Sequence, residues 1–150
     1  MAQDFVVVAH VADVKAALKK QIASAAEIIR GMLESNAKKH ISEEVYDTPP
    51  SWYARTGLLR NSITTEVTED KGDTCVVVGT NVDYAAYVEL GTGLYATGGS
   101  HARKIPWTYK GRDGKFHTTE GTHPKPYLRP AVENHAEQYK RVLETELKKP

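Results

Sequence analysis

Residues 13–41 read DVKAALKKQIASAAEIIRGMLESNAKKHI. Val14, Leu18, Ile22, Ala25, Ile29, Leu33 and Ala37 recur at spacings of three and four. At 3.6 residues per turn these positions share one stripe, while Lys15, Lys19, Glu27, Glu34 and Lys38 fall mostly off it. Asp13 is suited to cap the first turn, and no proline interrupts the pattern before Thr48-Pro49-Pro50-Ser51. The spacing predicts an amphipathic helix running to about His40 or Ile41. Gly31 costs about 1 kcal/mol relative to alanine inside such a helix and is expected to mark a close backbone contact. Upstream, Phe5-Val6-Val7-Val8 reads as a strand or an extended lead-in. Downstream, the prolines open a loop that holds Trp52 and Tyr53.

Beyond the loop the period changes to two. Ile63, Thr65 and Val67 alternate, Cys75-Val76-Val77-Val78 forms a second β-rich run, and Lys71-Gly72-Asp73 supplies turn chemistry between them. The result is a predicted antiparallel hairpin whose near-continuous apolar second strand suggests burial on both faces. Tyr84 to Glu89 suits one or two helical turns stopped by Gly91 and Gly93. Within residues 91–125, Ile105 to Lys110 and Lys115 to Thr119 flank Gly111-Arg112-Asp113-Gly114, the pattern of a small hairpin. Pro130 fits the first position of a final helix whose stripe is Val132, Ala136, Tyr139, Leu143 and Leu147. The expected fold class is therefore α+β. A small antiparallel sheet is packed by a long N-terminal helix and a C-terminal helix, with a long loop or hairpin between residues 91 and 125. A chain of 150 residues fits a single domain, 1–150, with 94–124 as an extended insertion.

Composition removes several classes of function. Twenty basic against nineteen acidic side chains leave a formal net charge of +1, no global signature of a polyanion binder. The longest strictly apolar run, Phe5 to Ala9, is too short to span a membrane, and no secretory signal pattern opens the chain. One cysteine, Cys75, excludes an internal disulfide framework and points to a reducing compartment. The charge is unevenly placed. Residues 41–70 carry two basic and six acidic groups, whereas 101–130 carry seven basic and two acidic. These segments read as complementary surfaces or as solvated faces.

No convergent catalytic set emerges. Cys75 lies among valines with nothing basic adjacent to lower its pKa, and reads as a buried, inert thiol. His101, His117, His123 and His135 have spacings that match no compact metal-ligand pair. Glu43 and Glu44 are sequence neighbours and would not share a helical face. The glycines around Gly91-Thr92-Gly93 and Gly98-Gly99 lack the strand-to-helix phosphate cradle. No cofactor or metal is expected. The basic 101–130 segment, with Trp107, Tyr109, Phe116 and Tyr127 interleaved, supports a runner-up reading as a single-stranded nucleic-acid binding module. A hydrolase using Cys75 and a loop histidine is a third, weaker reading.

Three blocks carry more than generic signals: Arg55-Thr56-Gly57-Leu58-Leu59-Arg60-Asn61-Ser62-Ile63, the run from Val78 to Gly93, and Lys125-Pro126-Tyr127-Leu128-Arg129-Pro130-Ala131. In this order, after a lead-in strand and a long helix, the chain resembles the tail-component or neck (head–tail joining) protein family of long-tailed bacteriophages. That family is typified by the tenth gene product of a lambda-like coliphage. The resemblance implies a non-enzymatic virion protein of a phage or prophage, made in the host cytoplasm and built into the neck or tail. It would form a homo-oligomeric ring between the portal-side connector and the tail tube or tail terminator. No membrane partner is expected, and the resemblance is compatible with passage of genomic DNA without sequence-specific binding. It also suggests Tyr84, Tyr87, Glu89, Arg103, Lys104, Trp107, Tyr109, Arg112, Tyr127 and Arg129 as subunit or partner interface. Arg129 would pair with an acid such as Glu89. Gly57, Gly79, Gly91, Gly93 and Pro130 are the expected structural turns, serving the fold or the interface. The loop from 94 to 124 is longer than typical, and Lys125 stands where an arginine is common. That loop is expected to be an assembly element, mobile in the free subunit and ordered by a neighbour.

Overall fold

The computed structural model describes residues 11–47, 56–98 and 105–149. The lead-in at Phe5–Val8, the Trp52–Tyr53 loop, His101, Arg103 and Lys104 lie outside the described residues. Helix α1 spans Val11–Ile41 and continues into a π-helical turn, Ser42–Tyr46, closed by the Asp47 N–H donating to the Ser42 carbonyl at 2.8 Å. A four-residue helix follows, α2 (Leu58–Asn61), then strands β1 (Thr64–Asp70) and β2 (Asp73–Gly79) and helix α3 (Ala85–Leu90). A 3-10 turn at Gly93–Tyr95 leads to β3 (Trp107–Lys110) and β4 (Phe116–Thr119). The chain ends in α4 (Leu128–Glu133) and α5 (Ala136–Leu147). This is the expected α+β architecture, with the antiparallel strands divided between two separate hairpins.

The α1 stripe is covered over its second half. Ala25, Leu33, Ala37 and Ile41 are buried, and the last three join Leu59, Ile63, Ala85, Tyr127 and Ala131 in one core. Val14 and Leu18 remain 58% and 43% exposed, so the N-terminal third of the stripe extends past its packing partners. Helix α5 runs antiparallel along α1. Ser24 donates to Glu146 at 2.8 Å, Asn36 to the Tyr139 hydroxyl at 2.9 Å, and His40 meets His135 at 3.3 Å. The β1–β2 hairpin packs against α1 as well, through a 3.0 Å bond from Thr65 to Glu34.

Lys71 and Gly72, at φ 49° and 92°, form the two-residue turn of this hairpin. Two successive positive φ values match the right-handed twist of the flanking strands. The register pairs Thr65 with Val78 and Val67 with Val76, one face turned toward α1. Glu66 pairs with Val77 and Thr68 with Cys75 on the other.

Four expectations need correction here. The second strand is covered on one face only: Val77 is 44% exposed and Cys75 is half-buried rather than enclosed. A two-stranded sheet has one helical layer to pack on, and alternation sends every second side chain away from it. A Cβ on Gly31 would meet nothing within 4 Å, so no close backbone contact explains this glycine. Gly79 is the last residue of β2, not a turn, and a Cβ there would meet open space. The C-terminal helix is broken at Asn134-His135, residue types whose side chains compete with helical backbone bonding. Because α4 begins at Leu128, Pro130 sits third in it and not first, where its missing N–H is still one of the groups without a helical partner.

Gly31→Ala is expected to raise stability by up to about 1 kcal/mol, because a methyl group fits and the unfolded chain loses freedom. Thermal denaturation should show a rise of about 2–4 °C. A fall would mean that the exposed side of α1 is tightly covered in solution.

Candidate assembly surface

The second sequence block builds a buckle. Gly91 and Gly93 adopt φ 74° and 63°, and the chain between them pairs with Glu120–Thr122. Thr92 N–H donates to the Thr122 carbonyl at 2.9 Å, Leu94 N–H to the Glu120 carbonyl at 2.8 Å, and Thr122 N–H to the Thr92 hydroxyl at 2.9 Å. A Cβ on Gly91 would lie 2.7 Å from the Thr122 carbonyl oxygen, and one on Gly93 would overlap the Glu120 carbonyl. Gly121, at φ 112°, is the reciprocal: a Cβ there would overlap the Thr92 carbonyl. The base of the β3–β4 hairpin is thus closed on the core-bearing part of the chain.

Glu89 completes the closure. Its Oε2 accepts backbone N–H bonds from Tyr127 at 2.7 Å and Leu128 at 3.0 Å, and its Oε1 accepts one from Arg129 at 3.0 Å. The next residue, Pro130, has no N–H to satisfy. One carboxylate therefore takes the three available donors at the start of α4, where the helix dipole also favours negative charge. The expected Glu89–Arg129 pairing is made by the Arg129 backbone, and Glu89 faces into the subunit instead of forming a polar rim. A side-chain acceptor 38 to 40 residues along the chain from its donors leaves no local signal in the sequence.

Tyr127, expected at an interface, is the largest fully buried side chain of the subunit among the described residues. Its hydroxyl finds no hydrogen-bond partner among those residues. Burial, with the Glu89 carboxylate as second cause, pushes the phenol up to about 12. The folded state holds this proton more tightly than the unfolded chain, whose phenols titrate near 10. Stability from this group is intact below pH 10 and is lost as pH rises from about 10 to about 12, by up to about 3 kcal/mol. Tyr127→Phe is expected to flatten that alkaline loss. At neutral pH it should be neutral or stabilising by up to about 1 kcal/mol, since an unpaired buried hydroxyl is removed. Urea unfolding of both proteins from pH 7 to pH 11.5 checks the difference.

The remaining positions lie outward. Tyr84 and Tyr87, three apart at the start of α3, are both exposed, Tyr87 by 63%. Trp107 is half-buried, whereas Tyr109, Arg112 and the backbone-bonded Arg129 are exposed. Strands β3 and β4 pack mainly on each other among the described elements. Their register puts Trp107, Tyr109, His117 and Thr119 on one face and Thr108, Lys110, Phe116 and Thr118 on the other. Phe116, at 76% exposed, is an outward residue that the expected interface set omits, although an aromatic beside a glycine-rich basic turn is a visible signal. At the tip, Asp113 accepts from Lys115 N–H at 3.1 Å, and its carboxylate contacts His117 Nε2 at 3.0 Å. These contacts, His117 foremost, hold the Asp113 carboxyl below its ordinary range.

Catalytic chemistry gains no footing from this geometry. Among the described residues no group of three or more His, Cys, Asp and Glu could hold a metal ion. His123 stacks on Tyr95 at 3.9 Å between centroids, and His135 bonds His40 and Gln138. No described helix is long and apolar enough to cross a membrane. What the fold presents is a subunit with a tied-down core and an outward hairpin of basic and aromatic side chains.

Residues 3–91 match the sequence model of the HK97-gp10-like family, described as "Bacteriophage HK97-gp10, putative tail-component". The match covers more than half of the chain, which therefore belongs to this family. It takes in α1, the β1–β2 hairpin and α3, and stops at the first glycine of the buckle. The comparisons with curated proteins and with solved structures gave no match. Family membership makes the chain a bacteriophage tail component with a structural role in the virion, in contact with other virion proteins.

Proposed function

We propose that the chain is a ring-forming neck or tail-completion subunit that links the portal-side connector to the tail during phage assembly. The supporting observation is the division of its surface. The β3–β4 hairpin, from Trp107 to Thr119, carries Lys110, Arg112 and Lys115 beside exposed Phe116 and Tyr109, and is buckled to a fold whose β1–β2 hairpin is acidic. A part with two unlike, mutually complementary surfaces can join copies of itself head to tail and close a ring. The 94–124 segment then acts as the assembly element, firm at its buckle and ordered toward its tip by the neighbour.

Light scattering and negative-stain electron microscopy test this on the purified chain, alone and mixed with connector and tail-tube proteins. Closed rings that co-migrate with either partner are expected. A chain that stays monomeric alone and in both mixtures overturns the reading. The runner-up, single-stranded nucleic-acid binding, would use the face with Trp107, Tyr109 and His117 for stacking, without Phe116 on the opposite face or Tyr127 in the core. Oligonucleotide binding that weakens steeply with salt is the result that would favour it.

A further inference from the structure

Two sheet faces of this subunit have no covering layer among the described elements. On β1–β2 the face turned away from α1 carries the directly paired Glu66 and Val77, with half-buried Cys75 beside them and Asp70 and Asp73 paired at the tip. On β3–β4 one face carries the directly paired Lys110 and Phe116, flanked by Thr108 and Thr118, all exposed. Each face is two-stranded and carries one large exposed apolar side chain, Val77 or Phe116, with a charged partner directly across from it; Phe116 stands at the turn end of its hairpin. The signs are opposite. The outer β1–β2 face carries Glu66, Asp70 and Asp73, and the β3–β4 face carries Lys110 with Arg112 in the turn beyond it.

We infer that the occupant of each face is the other face on a second copy of this chain: β3–β4 of one subunit packs sheet-on-sheet over the outer face of β1–β2 of the next. Phe116 lies against Val77 and covers the apolar area that each exposes alone. Lys110 meets Glu66, and Arg112 in the turn faces the carboxylates of Asp70 and Asp73. Stacked sheets of this kind sit about 10 Å apart with their side chains interleaved. Apolar contact supplies the attraction, and opposite charge fixes the register and rejects a face meeting its own kind. Because the two patches differ, the contact is heterologous and repeats from copy to copy, which is the condition for a closed ring. This inference rests on the ring-forming reading and names the surface that makes it.

Cys75 permits a direct test, since it is the only cysteine and lies on the inferred face. Phe116→Cys places the second thiol on the opposing face beside its turn, and circular dichroism verifies that the variant is folded. With a bifunctional maleimide long enough to span stacked sheets, the expected product is a ladder of covalent multimers on a denaturing gel, where the parent chain with Cys75 alone gives none beyond a dimer. Adding Lys110→Glu should lower the ladder about tenfold, and further adding Glu66→Lys should restore it, because the pair is then reversed rather than broken. Several results overturn the inference: a cross-link formed only within one chain, a ladder indifferent to both charge changes, or no ladder from a protein that light scattering shows to be a ring. In the last case the ring reading stands and only the surface is wrong. A protein that gives neither rings nor ladder, alone or with connector and tail-tube proteins, removes both.

Discussion

Glu89→Ala is expected to lower the unfolding free energy by about 3 kcal/mol. Three backbone N–H groups, of Tyr127, Leu128 and Arg129, donate to this one carboxylate at 2.7–3.0 Å. Truncation leaves all three without a partner at a helix start that is partly enclosed, beside fully buried Tyr127. An ordinary cap replacement costs about 1 kcal/mol for one or two bonds, and bonds to a charged acceptor are about twice as strong as neutral ones. Glu89→Gln retains one acceptor oxygen and the length of the side chain, and should cost about half as much. The test is equilibrium unfolding in urea of the two variants beside the parent protein. If alanine and glutamine at 89 are equally mild, water replaces the carboxylate and the clasp between α3 and α4 is not structural.

The long helix, both hairpins and the turn at Lys71-Gly72 are legible in the sequence, because each depends on periodicity or turn chemistry among near neighbours. The stripe from Val14 to Ala37 is a local pattern, and so is Gly111-Arg112-Asp113-Gly114 between two short β runs. The extent of burial is not legible. Val14 and Leu18 match Leu33 in type and phase, yet only Leu33 is covered, because coverage depends on where α5 and β1–β2 end along α1. The break at Asn134-His135 is likewise masked by a continuous apolar stripe across it. At the candidate surface, residue type misleads in an instructive way. Tyr127 has the side chain expected of an interface, but lies under the α4 start. Glu89 has the charge expected of a rim, but satisfies backbone groups as far as 40 residues away. Both errors come from long-range pairing, which no spacing rule encodes.

The family match ends at Gly91, so the Gly93–Gly121 join and the β3–β4 hairpin lie beyond it, while Glu89, which completes the closure, lies just inside. At the join Gly93 and Gly121 bring the two segments into backbone contact, with the Thr92 and Thr122 side chains bonding across it.

Gly121→Ala is expected to cost about 3 kcal/mol and Gly93→Ala nearly as much, through a join that admits no side chain. At φ 112° and 63° both positions disfavour any residue with a Cβ. The added methyl would also collide with rigid carbonyl groups, Thr92 for Gly121 and Glu120 for Gly93, so relief requires the two chain segments to separate. Separation breaks the Thr92–Thr122 and Leu94–Glu120 backbone bonds, each worth about 1 kcal/mol. Gly114→Ala is the matched control. Its φ is 76°, close to that of Gly93, but nothing lies within 4 Å of the Cβ position. It should therefore show the backbone cost alone, about 1 kcal/mol. Amide hydrogen exchange at Thr92 and Leu94 locates the damage: about a hundredfold faster in Gly93→Ala and Gly121→Ala, unchanged in Gly114→Ala, with the amides of α1 around Leu33 little affected. Equal losses at 93 and 114 would show that the close approach of the two segments contributes nothing, and the buckle would then be a consequence of turn geometry rather than the element that seats the hairpin.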